Sequence, residues 1–412
     1  MNFEAAVKYL ESYVSYSDQF KVGYNEKNFN LPRIKRFLHD YGVDYSKIKF
    51  VHVGGSKGKG STCLMIANYL KEKSFRVGLF TSPHVVKTNE DFWLNGKYIS
   101  ESKFVKYVSV LKKYIDSVGG ASLTCFELKV VLALKYFVDE KVDFAVFEVG
   151  LGGRLDATNI INSRVAVLTS VEKEHTEYLG NSISKILDEK LGIFKGKRGV
   201  KLLVGRQGPE VKKLIKLKLK GCAGVYYSDE MDVPRLNCYF QNMVQSENAK
   251  VAYIAVKLLL EKVDDAAFMT SLKRFKLLGR FQVKKIYGKT VVFDIAHTPG
   301  SMKNLIESLN NKFPNKDFVF LISIMQAKDV DALISIIKGV AKKIVFTFSH
   351  SKRSILAGEL FRLYKGKFLH AEFNDNCYVA YEDLLKNLQV NEILVVTGTH
   401  FLMGKIFRRF GY

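Results

Sequence analysis

Val53-Gly54-Gly55-Ser56-Lys57-Gly58-Lys59-Gly60-Ser61-Thr62 is the stretch on which the fold turns. The apolar run Ile48-Lys49-Phe50-Val51-His52-Val53 leads into it, and the amphipathic pattern Cys63-Leu64-Met65-Ile66-Ala67-Asn68-Tyr69-Leu70 follows. Strand, glycine-rich loop and helix in that order make a phosphate cradle. Glycines let the backbone wrap an anion, and the start of the helix aims N–H groups at it. Lys59 can set a cation against the outer phosphates, with a hydroxyl from Ser61 or Thr62 beside them. The spacing departs from the commonest phosphate-loop pattern, because Gly60 separates Lys59 from Ser61 and the first glycine is displaced. A turn that merely joins strand to helix is the competing reading, but such a turn rarely needs a lysine between two glycines.

Outward from that loop, strands and helices alternate. Residues 1–45 read as helices, and Phe29–Leu38 reads as a turn from which Pro32 enters a helix. Val77–Thr81, Phe144–Val149 and Val165–Thr169 read as buried strands, and 103–117 and 125–138 have helical period. The alternation implies an α/β fold, a parallel sheet covered on both faces. Ligands in such sheets sit beyond the carboxyl ends of the strands, where Gly54–Ser61, Ser82, Glu148 and His175 fall. The pattern breaks near 262–280 and restarts after Leu278-Gly279-Arg280. Strands are then expected at Val291–Asp294, Phe318–Ile322, Ile344–Thr347 and Ile393–Thr397, with helices at 299–312, 329–341 and 377–388. Two domains follow, one over 1–280 that carries the phosphate loop and a smaller α/β domain over 281–412.

The 412 residues are 47% apolar and 25% charged, ordinary for a globular protein with an ample core. No run of 18 apolar residues offers a membrane span, and the acidic start Met1-Asn2-Phe3-Glu4 lacks the layout of a signal peptide. Cys63, Cys125, Cys222, Cys238 and Cys377 are scattered without a CxxC pair, which points to reduced thiols in the cytoplasm and away from structural zinc. The net charge of +23 allows nucleic acid or small polyanions as partners. Lysines are spread along the chain, and Lys212–Lys220, the one dense run, reads as an amphipathic surface element. With no zinc-finger, RRM or helix-turn-helix pattern, small anionic substrates are expected rather than nucleic acid or membrane.

Glu148-Val149-Gly150-Leu151-Gly152-Gly153-Arg154-Leu155-Asp156-Ala157-Thr158-Asn159 carries the strongest chemical signal. A carboxylate closing a buried apolar strand is costly unless a cation compensates it. Mg²⁺ fits, because it takes one or two carboxylates plus phosphates and water. A Glu148–Arg154 ion pair is the alternative, though it leaves the glycines and Asp156 unexplained. Ser82, in Thr81-Ser82-Pro83-His84, can point a hydroxyl into the crevice, and His175 falls beyond the next strand; an ordinary turn and a hydrogen-bonded structural histidine are the alternatives there. Lys190 alone reads as a solvated helix lysine. Arg280 and the Asp294-Ile295-Ala296-His297-Thr298-Pro299 turn suit stabilisation of developing charge on a phosphate, or else a salt bridge between Arg280 and Asp294.

These residues resemble the folylpolyglutamate synthase and dihydrofolate synthase family of the Mur ligase superfamily, in order from about residue 30 to 405. His52–Thr62 is similar to the family's HVAGTNGKGST loop, Phe80–His84 to FTSPH, and Glu148–Asn159 equals EVGLGGRLDATN. His175–Gly180 equals HTEYLG, Glu189–Ile193 resembles EKAGI, and Gln245–Ala249 resembles the HQxxNA segment. The resemblance implies a central P-loop domain of Mur-ligase type with a mostly parallel sheet, followed by a smaller Rossmann-like C-terminal domain. It implies ATP- and Mg²⁺-dependent addition of L-glutamate to the γ-carboxylate of a folate through an acyl phosphate, by a monomer. Carried over position by position, Gly58, Lys59, Gly60 and Ser61 cradle phosphates. Ser82 and Glu148 hold one Mg²⁺, His175 holds a second, and Lys190 is carbamylated. Asn248, Arg280 and Asp294 contact ATP, with His297 near its phosphates, and domain closure brings Arg280 and Asp294 onto ATP. Lys59, Glu148, His175, Lys190, Arg280 and His297 form the implied catalytic set. The folate side involves Asn30, Leu31, Pro32 and Arg33, then Thr124, Cys125, Phe126 and Glu127, and then Leu155, Asp156 and Ala157.

The chain departs from the family at four places. Its TNGK is Ser56-Lys57-Gly58-Lys59, its LDHT is Lys173-Glu174-His175-Thr176, its DGAHNP is Asp294–Pro299, and its DKD is Ala327-Lys328-Asp329. These bear on rate and substrate preference more than on reaction class. Other readings are a dihydrofolate synthase or bifunctional enzyme acting on dihydropteroate, a Mur-type ligase acting on a UDP-sugar peptide, and a non-catalytic nucleotide- or nucleic-acid-binding protein that keeps the fold. The Gly58-Lys59-Gly60-Ser61 form argues against the UDP-sugar reading.

Overall fold

The computed structural model describes residues 1–14, 23–196, 199–234, 243–274, 278–326, 328–351 and 353–411. Cys238 and Ala327 lie outside them. Contacts divide the chain into two compact units, the first built mainly from Met1–His84, Thr88–Phe240 and Val244–Phe275, the second mainly from Lys276–Tyr412.

In the first unit the strands are β1 Lys49–Gly54, β2 Val77–Phe80, β3 Phe92–Leu94, β4 Lys97–Tyr98, β5 Phe144–Glu148, β6 Ser163–Leu168, β7 Lys201–Val204 and β8 Val225–Tyr227. They form one sheet in the order β4-β3-β2-β5-β1-β6-β7-β8. From β2 to β8 the pairing is parallel. Its strands are apolar runs because helices cover both faces; β1 buries five of its six residues. The helices are α1 Phe3–Glu11, α2 Leu31–Asp40, α3 Lys59–Glu72, α4 Glu101–Ser117, α5 Cys125–Asp139, α6 Thr176–Leu179, α7 Ile183–Leu191, α8 Pro209–Lys218, α9 Met243–Leu260 and α10 Asp265–Lys273. The antiparallel ribbon β3–β4 was not expected from the alternation. Asn95 and Gly96 turn it with φ of 45° and 96°, the left-handed pair that two-residue hairpins favour. The lysine-rich run expected as a surface element falls on α8, where Val211 and Ile215 are buried. Lys212, Lys216 and Lys218 meet Asp229, Glu230 and Asp188, so that face is a mixed-charge surface and not a bare basic stripe.

The second unit restarts with β9 Gln282–Ile286 and β10 Lys289–Phe293, then α11 Pro299–Lys312, β11 Asp317–Ile322, α12 Val330–Lys338, β12 Ala341–Thr347, α13 Ala357–Tyr364, β13 His370–Asn374, α14 Cys377–Asn387, β14 Glu392–Thr397 and α15 His400–Phe410. The sheet order is β13-β12-β11-β14-β10-β9, parallel except for β9. The four described cysteines are free. No described helix is long and apolar enough to cross a membrane.

Candidate active site

The adjacent strands β2, β5, β1 and β6 deliver their carboxyl ends to one edge of the sheet. Glu148 is the last residue of β5, 6% exposed and in register with Val53 of β1. Its Oε2 accepts the Ser82 N–H at 3.2 Å, which brings two of the metal candidates together. Gly60 lies against the same carboxylate: a Cβ there would stand 3.2 Å from Oε2. The glycine between Lys59 and Ser61 thus has a steric reason, since a side chain would crowd the acid.

The phosphate loop bends through Gly58, whose φ of 84° only glycine adopts without strain. Gly58 caps α3 without a side-chain acceptor, and a Cβ on it would meet Asn248 Oδ1 at 2.2 Å. Asn248 Nδ2 donates to Gln245 Oε1 at 3.1 Å, and Gln245 Nε2 donates to Ser61 Oγ at 3.3 Å. Gln245 was not among the sequence candidates; its place three residues before Asn248 on one helix face was the available signal. Of the two hydroxyls considered for the loop, Thr62 is fully buried. Lys59 Nζ curls back onto its own loop, donating to Gly55 O at 3.2 Å and Ser56 O at 3.4 Å.

Lys190 is not a solvated lysine. It is 2% exposed, with Nζ 2.9 Å from Gly55 O and 3.0 Å from Glu174 Oε1. Burial pushes its ammonium down to about 8 while Glu174 resists and Lys59 adds to the push. Burial would raise the Glu174 carboxyl, yet Lys190, Lys59 and His175 hold it down at about 2. Glu174, read in the sequence only as a departure from the family's aspartate, is therefore the carboxylate of this cluster. His175 sits seven residues beyond the end of β6, exposed, with a φ of 48°, at the start of α6. It does not close a strand directly.

Asn30 accepts the Arg33 N–H at 2.9 Å and so starts α2, with Pro32 in its first turn. Arg33 Nη2 then reaches both Glu127 oxygens, at 2.8 and 3.0 Å. Glu127 also closes a capping box with Thr124 at the start of α5, flanked by Cys125 and the buried Phe126. Asn30–Arg33 and Thr124–Glu127 are thereby one cluster. Leu155, Asp156 and Ala157 are 5%, 0% and 3% exposed. Asp156 accepts from Leu151 N and Thr158 N, each at 3.0 Å. Those two bonds shape the turn on which the implied folate segment Leu155–Ala157 sits. Arg154 pairs with Glu189 at 2.9 Å and Glu26 at 2.7 Å, so the alternative partner Glu148 is not its ion pair. Tyr24 OH donates to the other Glu189 oxygen at 3.0 Å, and Tyr24, Phe29, Leu151, Leu155 and Tyr178 pack together.

In the second unit Asp294 follows β10 and accepts the Phe281 N–H at 2.7 Å and the Ala296 N–H at 2.8 Å. Burial lifts its carboxyl to about 6, against the nearby Arg280 charge and those two N–H groups. Arg280 itself is exposed. His297 Nδ1 donates to Ile295 O at 2.8 Å, which turns Nε2 away from the backbone. Thr298, where the family has asparagine, caps α11 in a box with Ser301. Asp329 of the altered DKD segment caps α12.

Among the described residues no group of three or more His, Cys, Asp and Glu could hold a metal ion. One buried carboxylate beside a serine instead suits a cation that completes its shell with phosphate oxygens and water. That is the habit of Mg²⁺ rather than of zinc.

Residues 53–284 match the Mur ligase middle domain, and residues 279–400 match the Mur ligase glutamate ligase domain. Dihydrofolate synthase/folylpolyglutamate synthase of Bacillus subtilis (strain 168) is 27% identical over 414 residues, covering 92% of this chain and 94% of that relative. Folylpolyglutamate synthase of Mycobacterium tuberculosis, solved in complex with ADP and AMPPCP, superposes with a TM-score of 0.82 at 25% identity, covering 93% of this chain and 95% of that one. Folylpolyglutamate synthase of Thermotoga maritima gives a TM-score of 0.82 at 27% identity, covering 100% and 97%. With a middle-domain match over more than half its length, this chain belongs to the Mur ligase family, in the branch of folylpolyglutamate and dihydrofolate synthases.

Proposed function

We propose that the protein is an ATP- and Mg²⁺-dependent ligase that joins L-glutamate to the γ-carboxylate of a folate. The observation that carries this reading is a glycine-flanked Lys59 and a buried Glu148 delivered to one edge of the sheet by neighbouring strands, in a chain of this family. The chemistry is phosphoryl transfer to the folate γ-carboxylate, followed by attack of the glutamate amine on the acyl phosphate and loss of phosphate.

The residues divide that work. Gly58, Gly60 and Ser61 offer N–H groups at the start of α3, and Lys59 leaves two carbonyls to neutralise phosphate charge. Gln245 gives a hydrogen to Ser61 Oγ, which leaves the hydroxyl proton free to donate outward. Glu148 and Ser82 would hold Mg²⁺, with His175 assigned to a second ion; the metal supplies charge neutralisation on the phosphates. Lys190, with its ammonium pushed down to about 8, keeps a fraction of its side chain as the free amine near neutral pH. Attack of the amine lone pair on CO₂ forms a C–N bond and releases one proton, giving the carbamate that would help organise the metal site. Labelled bicarbonate should give a carbamate carbon signal that Lys190→Met removes; an unchanged spectrum would dismiss the modification. Arg280, Asp294 and His297 of the second unit and Asn248 of the first are assigned to the nucleotide. Asn30–Arg33, Thr124–Glu127 and Leu155–Ala157 are assigned to the folate. The division of labour we propose follows 1–280 for ATP binding and catalysis and 281–412 for the C-terminal domain. The enzyme would act as a monomer in the cytoplasm on small molecules, without nucleic acid or membrane.

The bifunctional name of the Bacillus subtilis relative favours a second reading, glutamylation of dihydropteroate at the same site. Phosphate release from ATP with Mg²⁺, L-glutamate and either tetrahydrofolate or dihydropteroate, read with product mass, tests both. A glutamate-sized gain on tetrahydrofolate establishes the first reading, and a gain on both makes the enzyme bifunctional. Silence with both, in a folded protein that binds ATP, rejects them.

A further inference from the structure

His52 is a buried titratable group that the chemistry above leaves unused. It lies in the middle of β1, 1% exposed, with Nε2 2.8 Å from Thr158 Oγ1. The Thr158 hydroxyl donates its single proton to Asp156 Oδ1. Both Asp156 oxygens already accept backbone N–H groups, from Thr158 and from Leu151. Thr158 Oγ1 must therefore accept from His52, which assigns the proton to Nε2 of the imidazole. Burial pushes His52 down to about 3, with the Lys195 charge assisting, so the ring is neutral at any working pH and the relay keeps its direction.

The far end of this relay is the short 3₁₀ turn Ala157–Ile160, on which both α2 and α5 pack. Lys195 Nζ holds the turn from its other end through Asn159 O at 2.7 Å and Ile161 O. The helix carrying Asn30–Arg33, the helix carrying Thr124–Glu127 and the segment Leu155–Ala157 thus meet on one buried turn, and His52 links that turn to the central strand. The same face of β1 points Phe50 into the core that α2 and α5 build.

We propose that His52 is a positioning residue for the folate side of the site: it pins the 3₁₀ turn to β1, and through that turn sets where α2, α5 and Leu155–Ala157 meet the substrate. The proposal rests on the folate-ligase reading. Because His52 also stands two residues before Gly54, the competing role is support of the phosphate loop, and the test separates the two. His52→Leu and Thr158→Val each remove the link while keeping an apolar volume; His52→Gln keeps an N–H donor. KM for tetrahydrofolate, KM for ATP and kcat are measured on each folded variant, together with amide hydrogen exchange over 150–160 and 55–62. Loss of the link should raise the folate KM about tenfold, the size of one buried hydrogen bond, with ATP KM and kcat within about twofold. Exchange should quicken over 150–160 only. His52→Gln should restore the folate KM, and the double variant should be no worse than either single one. An unchanged folate KM, or an ATP KM that rises in step with it, overturns the proposal. Should His52→Leu fail to fold, Thr158→Val alone decides by the same two constants. A silent wild type would instead overturn the ligase reading, and the assignment to folate with it.

Discussion

The phosphate loop and the Glu148–Asn159 turn start from neighbouring strand ends and are both rich in glycine, yet they are built to opposite purposes. In the loop the cations rest on provisional partners: Lys59 on two backbone carbonyls, Lys57 on the half-exposed Glu172. Beyond Glu148, every charged side chain of the turn is tied down. Asp156 holds two N–H groups and a hydroxyl at zero exposure, and Arg154 grips Glu189, whose other oxygen takes the Tyr24 hydroxyl. Partners that an anion can displace mark a binding element, and partners that nothing displaces mark a frame. The loop's side chains should therefore govern rate and ATP affinity, and those of the turn beyond Glu148 should govern stability and the seat of the folate.

The largest effect expected of this contrast is at Lys59. Lys59→Met should lower kcat by roughly 10²–10³-fold, the scale of one lost charge-stabilising donor, while the thermal midpoint hardly moves. A melting transition lowered as much as that of a turn variant would erase the contrast.

Glycine substitutions sharpen it. A Cβ on Gly153 would stand 2.8 Å from Glu189 O, a backbone atom that cannot step aside. Gly153→Ala should cost about 1–3 kcal/mol in denaturant unfolding, as overpacking does. A Cβ on Gly58 meets only the Asn248 amide, so Gly58→Ala should chiefly raise the ATP KM by shifting Asn248 and straining the left-handed turn. Unfolding curves and ATP titrations on the two variants should rank them oppositely; the same ranking in both would contradict the division.

Much of this frame could be read from the chain, and the exceptions have physical causes. Pro299–Lys312 stands where the periodicity put it because Thr298 caps and Pro299 opens it. The buried parallel strands were legible as apolar runs, whereas β9, with residues partly exposed along Gln282–Ile286, gave no such signal. The β3–β4 ribbon was signalled by Asn95-Gly96, but its strands are only three and two residues long. Lys59, Glu148 and Ser82 were legible as strand-end residues. The Arg33–Glu127 pair, 94 residues apart, and the Lys190–Gly55 contact, 135 apart, were not, since only folding brings such partners together. Lys190 looked like any helix lysine because burial is not written in its neighbours. Its assignment came from family resemblance.

A third turn, after β10 in the second unit, tests the contrast through pH. Asp294 is held at about 6 in the folded protein against 3.8 ordinarily. The folded state therefore keeps a proton that the unfolded chain has already lost between those values. The stabilising effect of that proton is full below 3.8 and disappears as pH rises through 6. Across pH 4–7 the wild-type thermal midpoint should fall relative to that of Asp294→Asn by on the order of a few degrees. Parallel curves would place Asp294 with the fixed partners of the Glu148–Asn159 turn.

The smallest effect is the most discriminating, because it concerns a residue that could belong to either class. Lys57 stands where the family has asparagine and meets Glu172 Oε2 at 2.6 Å, with side-chain exposures of 22% and 46%. Water screens a pair so exposed, so breaking it should change stability by less than about 1 kcal/mol. The backbone around it is held independently, by Ser56 N donating to Ser170 O at 2.6 Å and Glu172 N donating to Ser56 Oγ at 3.0 Å. The loop shape therefore survives without the pair, and only the availability of one positive charge changes. Glu172→Gln frees Lys57 for phosphate and should lower the ATP KM about two- to threefold, more at low salt than at high. Lys57→Asn removes the charge and should raise the KM. If both substitutions moved the ATP KM the same way, the pair would be scaffolding like Arg154–Glu189, and the loop would hold one exchangeable cation, Lys59, rather than two.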